Sequence, residues 1–216
     1  MPDMSSRAEL ALRYAGLAPV IPVVTIEDPE RAPDLARTLV GAGLPVVEVT
    51  LRTARAMEAI ERIAREVPDA VVAAGTVLRP LEIAAVRDAG AKLIVTPGTS
   101  HRMAEALAAA DLPAMPAAAT ISEALTLGEL GFRVLKFFPA AALGGVAWLK
   151  AAAAPIPHLA FCPTGGIDLA GAPAYLALPN VACLGGSWMV PPAAIATGDW
   201  STIDRLAREA AALRRG

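Results

Sequence analysis

The chain has 216 residues, 55% hydrophobic and 19% charged, enough to bury a sizeable core, and this excludes an intrinsically disordered polypeptide. Its 19 basic and 21 acidic side chains leave a formal charge of −2 spread along the chain, so neither nucleic acid nor a membrane surface is an expected partner. No run reaches the ~18 uninterrupted apolar residues of a transmembrane helix. Asp3, Arg7 and Glu9 occupy the region where a secretory signal would be apolar, so a cytoplasmic protein with one domain over 1–216 is expected.

In chain order, Arg7 to Leu17 reads as an N-terminal helix. Val20 to Val24 is then the first of eight short apolar runs, rich in β-branched residues or punctuated by proline. The others are Val46 to Leu51, Val71 to Val77, Leu93 to Thr96, Pro113 to Ala118, Val134 to Phe138, Leu159 to Cys162 and Val181 to Leu184. Their starts recur every 20 to 26 residues, and the gaps have helix-like apolar spacing. Pro29 to Val40 is predicted helical and closed by Gly41, Ala54 to Val67 is closed by Pro68, and Leu81 to Ala89 is closed by Gly90. Eight strand and helix alternations imply a parallel sheet with right-handed crossovers. The expected fold is an α/β (β/α)₈ TIM barrel whose extra N-terminal helix plugs the bottom; an open doubly wound sheet is the alternative.

In such a barrel the chemistry sits at the C-terminal ends of the strands. The second run places Glu48, Thr50 and Arg52 on one face, because a strand alternates sides with period two. The sixth puts Lys136 between apolar neighbours. Burial disfavours the charged form of an amine, which frees it for attack on a ketone and points to Schiff-base chemistry, with Glu48 as a proton shuttle. A buried Lys136–Glu48 ion pair without catalysis, or a lysine snorkelling to the mouth, accounts for the same residues. Of the 19 basic side chains only Lys92, Lys136 and Lys150 are lysines, so a lysine inside a strand suggests an amine that must deprotonate.

The seventh and eighth runs lead into Pro163-Thr-Gly-Gly-Ile167 and Leu184-Gly-Gly-Ser-Trp188. Two adjacent Gly-Gly loops can direct backbone N–H groups at a phosphate, with Thr164 or Ser187 as a further donor. Thr76 and the Thr96-Pro97-Gly98 segment stand at two more strand ends, where they either orient a substrate carboxylate or satisfy turns. His101 and His158 are expected at opposite ends of the barrel, Cys162 and Cys183 share no ligand spacing with them, and no metal site is expected. The three tryptophans are expected to pack.

Taken together, Val47-Glu-Val-Thr-Leu-Arg-Thr53, Ala74-Gly-Thr-Val-Leu78, Thr96-Pro-Gly98, Lys136-Phe-Phe-Pro-Ala140, Phe161-Cys-Pro-Thr-Gly-Gly-Ile167 and Gly185-Gly-Ser-Trp188 resemble the 2-keto-3-deoxy-6-phosphogluconate (KDPG) and 4-hydroxy-2-oxoglutarate aldolase family of class I pyruvate aldolases. The resemblance runs in order over nearly the whole chain. It implies a homotrimer of (β/α)₈ barrels cleaving a phosphorylated keto acid, KDPG, to pyruvate and glyceraldehyde 3-phosphate without a cofactor. It implies Lys136 as the Schiff-base lysine, Glu48 as the proton shuttle, and Arg52 with Thr76 on the pyruvyl carboxylate. Gly165, Gly166, Gly186 and Ser187 match the phosphate-holding positions, and Pro97, Phe138 and Thr164 are possible substrate contacts. Alternatives are 4-hydroxy-2-oxoglutarate or a 6-phosphogalactonate-type substrate, a phosphate-binding isomerase barrel, or a catalytically silent trimeric scaffold. Ala117, where the family usually has glycine, and Ala141, where an acidic residue commonly stands, depart from the pattern; an added methyl could narrow the mouth.

Overall fold

A computed structural model describes residues 3–214 of the chain. The helix α1 (Met4–Ala15) starts one turn earlier than its apolar pattern suggests, because the Asp3 carboxylate caps it by accepting the Ser6 amide at 2.8 Å. The strands are β1 (Val20–Val24), β2 (Val46–Thr50), β3 (Val71–Gly75), β4 (Leu93–Val95), β5 (Ala114–Met115), β6 (Ala117–Ala118), β7 (Val134–Phe137), β8 (Ala160–Pro163) and β9 (Leu184–Gly186). Between and after them run α2 (Ala32–Gly41), α3 (Ala56–Glu66), α4 (Leu81–Asp88), α5 (His101–Ala109), α6 (Ile121–Glu129), α7 (Gly145–Ala153), α8 (Ala172–Leu176), α9 (Pro192–Thr197) and α10 (Trp200–Ala211). None of the described helices is long and apolar enough to cross a membrane.

Every strand pairing is parallel. Six strands run in the order β5-β4-β3-β2-β1-β9 and three in the order β6-β7-β8. Isolated parallel bridges from Phe161 to Val181 and from Thr164 to Gly185 join β8 to the chain around β9. The result is an α/β fold with a curled parallel sheet whose last strand lies beside its first. The strand order has no reversal point, unlike a doubly wound sheet.

The fifth predicted run is split because Pro116 has no N–H to give the ladder. Its carbonyl still accepts the Lys136 amide at 2.9 Å. Beside it, the Ala117 amide donates to Thr96 Oγ1 at 3.0 Å and Thr99 Oγ1 donates to the Ala117 carbonyl at 2.9 Å, so hydroxyls continue the pairing where the backbone cannot. The eighth strand is displaced to Leu184–Gly186 from the predicted Val181 to Leu184. Gly41 ends α2 as its last helical residue, and the left-handed turn falls on Gly43 (φ 96°) instead. Gly90 (φ 92°) closes α4 as expected.

The core has two parts. Between sheet and helices lie Leu35, Leu39, Val47, Val49, Ile60 and Ile63, all fully buried. On this side Trp148 of α7 stacks on Phe137 (centroids 4.3 Å apart) and meets Phe161 edge-on at 5.5 Å, which fixes α7 against β7 and β8. Inside the curled sheet Ile21, Val46, Leu93, Met115 and Val134 close around Ala11 and Ala15 of α1, so the N-terminal helix plugs this end. Arg7 anchors the plug by donating from Nη2 to the Ala108 carbonyl at 2.8 Å. Cys162 and Cys183 are buried thiols in the same interior.

Small residues on α1 are therefore dictated by the space inside the strands. Ala11→Leu is expected to cost about 1–3 kcal/mol in urea unfolding by overpacking, whereas Ala151→Leu on an exposed turn of α7 leaves stability within about 0.5 kcal/mol of the parent.

Candidate active site

Glu48 lies on β2 in register with Val23 and Ala73, and Lys136 lies on β7 in register with Ala117 and Cys162. Both point inward, and Lys136 Nζ donates to Glu48 Oε1 at 2.8 Å across 88 residues of sequence. The two groups are 4% and 2% exposed, so this is an ion pair removed from water. The Phe138 ring centroid lies 5.6 Å from Nζ and adds a cation–π contact on the mouth side.

At the strand ends opens a cavity of about 130 Å³ lined by Val23, Arg52, Phe138, Thr164, Gly165, Gly166, Ile167, Gly185, Gly186 and Ser187; Phe138 is its link to the pair, and neither Lys136 nor Glu48 lines it. Arg52 stands two residues past the end of β2 and is exposed. Gly165 (φ 98°) and Gly166 (φ 73°) have left-handed backbones that L side chains rarely adopt. Gly186 is glycine for a different reason: the Trp188 ring covers its α-carbon, with Cη2 2.8 Å from where a β-carbon would stand. Gly185 is likewise covered by the side chain of Thr164. Gly166 and Ser187 are exposed in this lining, and a backbone amide and a hydroxyl are groups suited to an anion.

The remaining predicted residues lie at other strand ends. Thr76 follows β3 with φ 60°, the one positive φ among the described non-glycine residues. Pro97 follows β4 and is half-buried, and neither it nor Thr76 lines the cavity. Thr96 is fully buried with its hydroxyl held by Ala117 and Thr99, so of the two expectations for Thr96 the turn-satisfying one is met. Ala117 pairs with Lys136 itself. Ala141 packs against Gly166: its Cβ lies 2.7 Å from where a Gly166 β-carbon would stand, and its amide donates to the Gly165 carbonyl at 3.1 Å. Both departures thus touch the site.

Sequence reading missed Val23 in the cavity wall, whereas Ile167 and Gly185 lie in the two loops it singled out. Strand parity flags Val23, which shares a face with Ile21 and Thr25, but an apolar residue carries no chemical signal to single it out. His101 pairs with Glu105 at 3.3 Å on exposed α5, and His158 lines a pocket with Arg133 and Asn180. Among the described residues no cluster of His, Cys, Asp and Glu could hold a metal. Thr202 and Ser201, through hydrogen bonds, hold the Asp199 carboxyl low at the start of α10.

The ion pair and the strained threonine respond differently to substitution. Removing one charge from a buried pair strands the other, so Glu48→Leu is expected to lose about 3–5 kcal/mol, most of it recovered when Lys136→Met is added. Thr76 costs about 1–3 kcal/mol of backbone strain, more than glycine loses in chain entropy. Thr76→Gly is therefore expected to raise unfolding free energy by about 1 kcal/mol and Tm by roughly 2–4 °C.

A family profile described as KDPG and KHG aldolase matches residues 13–206. The 2-dehydro-3-deoxy-phosphogluconate aldolase of Dickeya dadantii is 47% identical over 194 residues, covering 90% of this chain and 91% of that protein. Among solved structures, the KDPG aldolase of Legionella pneumophila, with pyruvate captured as a covalent carbinolamine intermediate, superposes with a TM-score of 0.91 at 40% identity, covering 94% of this chain and 98% of that one. The Zymomonas mobilis ZM4 enzyme, solved with 3-phosphoglycerate, superposes with a TM-score of 0.89 at 41% identity over 95% of this chain and 97% of that one.

Proposed function

Because the chain belongs to the KDPG and KHG aldolase family, we propose that it is a class I aldolase cleaving KDPG to pyruvate and glyceraldehyde 3-phosphate, with Lys136 as the Schiff-base lysine. The observation that carries this reading is the buried contact between Lys136 Nζ and Glu48 Oε1, which holds a nucleophile and a proton acceptor together away from water.

In the reaction Glu48 takes a proton from the ammonium, and the free amine adds to the C2 ketone of the substrate. Glu48 gives that proton to the hydroxyl of the resulting carbinolamine, which leaves as water, so that an iminium forms and the carboxylate is free again. Glu48 then removes the C4 hydroxyl proton, the C3–C4 bond breaks, and its electron pair moves into the iminium to give an enamine and glyceraldehyde 3-phosphate. The protonated Glu48 returns its proton to C3, and water hydrolyses the resulting iminium to pyruvate and the lysine.

Arg52 and Thr76 are assigned to the pyruvyl carboxylate. Arg52 brings a planar fork that can pair bidentately, and Thr76 a hydroxyl at the end of the strand next to β2. Gly165, Gly166, Gly186 and Ser187 are assigned to the phosphate, on the strength of their shared cavity. Phe138 and Thr164 line that cavity and contact the substrate between its two ends. Pro97, outside that lining, is assigned to the substrate from the loop after β4.

The same reading takes residues 1–216 as one domain and the two hydrogen-bonded sheets as one closed (β/α)₈ barrel, supported by the bridges from β8 to the β9 segment. It takes the protein as a homotrimer, for which exposed Leu78 and Leu81 supply apolar contact surface, and as cytoplasmic, where the thiols of Cys162 and Cys183 stay reduced. 4-Hydroxy-2-oxoglutarate is the second substrate to test, since Ala141 against Gly166 alters the phosphate end alone.

Incubation with pyruvate and borohydride is expected to fix one pyruvyl adduct per chain on Lys136, leaving exposed Lys92 and Lys150 unmodified. Lys136→Arg is expected to abolish trapping and lower KDPG turnover by about 1,000-fold or more, because arginine does not deprotonate. An adduct on another lysine, or faster pyruvate release from 4-hydroxy-2-oxoglutarate than from KDPG, would replace the corresponding part of this assignment.

A further inference from the structure

We infer that Gly75 is a positioning residue for the reaction: the absence of a side chain there is what lets the Glu48 carboxylate reach Lys136. The inference rests on Glu48 being the proton carrier. Gly75 ends β3 in register with Thr50, and its carbonyl accepts the Leu51 amide at 2.8 Å. Its backbone lies outside the left-handed region, so nothing in the chain's own conformation asks for glycine. Its neighbour does. A β-carbon on Gly75 would stand 2.6 Å from Glu48 Cγ and 2.8 Å from Cδ, and closer still to Oε1, the oxygen that accepts from Lys136 Nζ.

The inner face of β3 shrinks toward the mouth, from Val71 through Ala73 to Gly75. The space given up at the last step is filled by the carboxylate. A methyl group at residue 75 would therefore push Oε1 away from Nζ while leaving the strand hydrogen bonds and the lysine where they are. The sequence motif Ala74-Gly-Thr76 draws attention to the threonine, whereas this contact explains the glycine.

The reaction step that reads the geometry is proton return to the enamine, followed as deuterium uptake into the methyl group of pyruvate in heavy water by proton NMR. Gly75→Ala is expected to slow uptake by about 100-fold or more, the usual contribution of a positioned acid or base. kcat for KDPG should fall with it, KM should change little, and borohydride should still trap pyruvate on Lys136 on long incubation, more slowly than in the parent, because the ammonium then loses its proton to water. Uptake close to that of the parent protein would overturn the inference.

Glu48→Gln separates the two layers of the argument. If it keeps parental uptake, the assignment of Glu48 fails. If it loses uptake and Gly75→Ala does not, only the role of Gly75 fails. Should Gly75→Ala not fold, thermal unfolding in a Glu48→Ala, Lys136→Met background decides, because the three atoms nearest a β-carbon at residue 75, all beyond Glu48 Cβ, are gone there and no charge is left unpaired. In that background Gly75→Ala is expected to leave Tm unchanged. A drop as large as in the parent would mark the glycine as a generic requirement of the strand and sink the proposal.

Discussion

A buried ammonium and carboxylate must find each other or neither can be tolerated, and the Lys136–Glu48 contact is where this molecule meets that condition. β2 belongs to the six-stranded sheet and β7 to the three-stranded one, so the pair links two hydrogen-bonded sheets across the interior. A slip of one residue in either strand would turn its charge outward into the apolar layer beneath the helices. The parallel registers of β2 with β1 and β3, and of β7 with β6 and β8, are thus a precondition of the chemistry as much as of the fold.

Small residues make that interior possible. Ala11 and Ala15 let α1 enter the bottom, Ala73 and Gly75 leave room beside Glu48, and Ala117 leaves room beside Lys136. Glycines at the mouth divide by cause. Gly165 and Gly166 have left-handed backbones, Gly166 being crowded by Ala141 as well, whereas Gly185 and Gly186 are set by the side chains of Thr164 and Trp188 lying over them. Both pairs line the cavity. One loop pair thereby acquires two different reasons to resist substitution.

Most of the architecture was legible because it rests on local chemistry. Five of the eight apolar runs begin at the residue where a strand begins: Val20, Val46, Val71, Leu93 and Val134. The misses share a cause. β9 is built largely of glycine, whose lack of a side chain hides any apolar alternation, and its pairing with β1 depends on contacts nearly the whole chain away. At Pro116 the sequence announces a lost donor, but that Thr96 and Thr99 take up the pairing is decided by strands that meet only in the folded state.

From sequence alone, the alternation of β and α, the lysine within an apolar strand and the paired Gly-Gly loops were determined, since each depends on residues within a few positions of one another; the parity argument for Arg52 was not, because β2 ends at Thr50. The tertiary structure decided the rest. It chose the partner of Lys136, it put Arg52 at the cavity of the glycine loops and left Thr76 and Pro97 outside its lining, and it gave Gly75 its reason. These are relations between strands brought together by parallel pairing, where a difference of one ångström separates a seated carboxylate from a steric clash, and no periodicity encodes a distance of that kind.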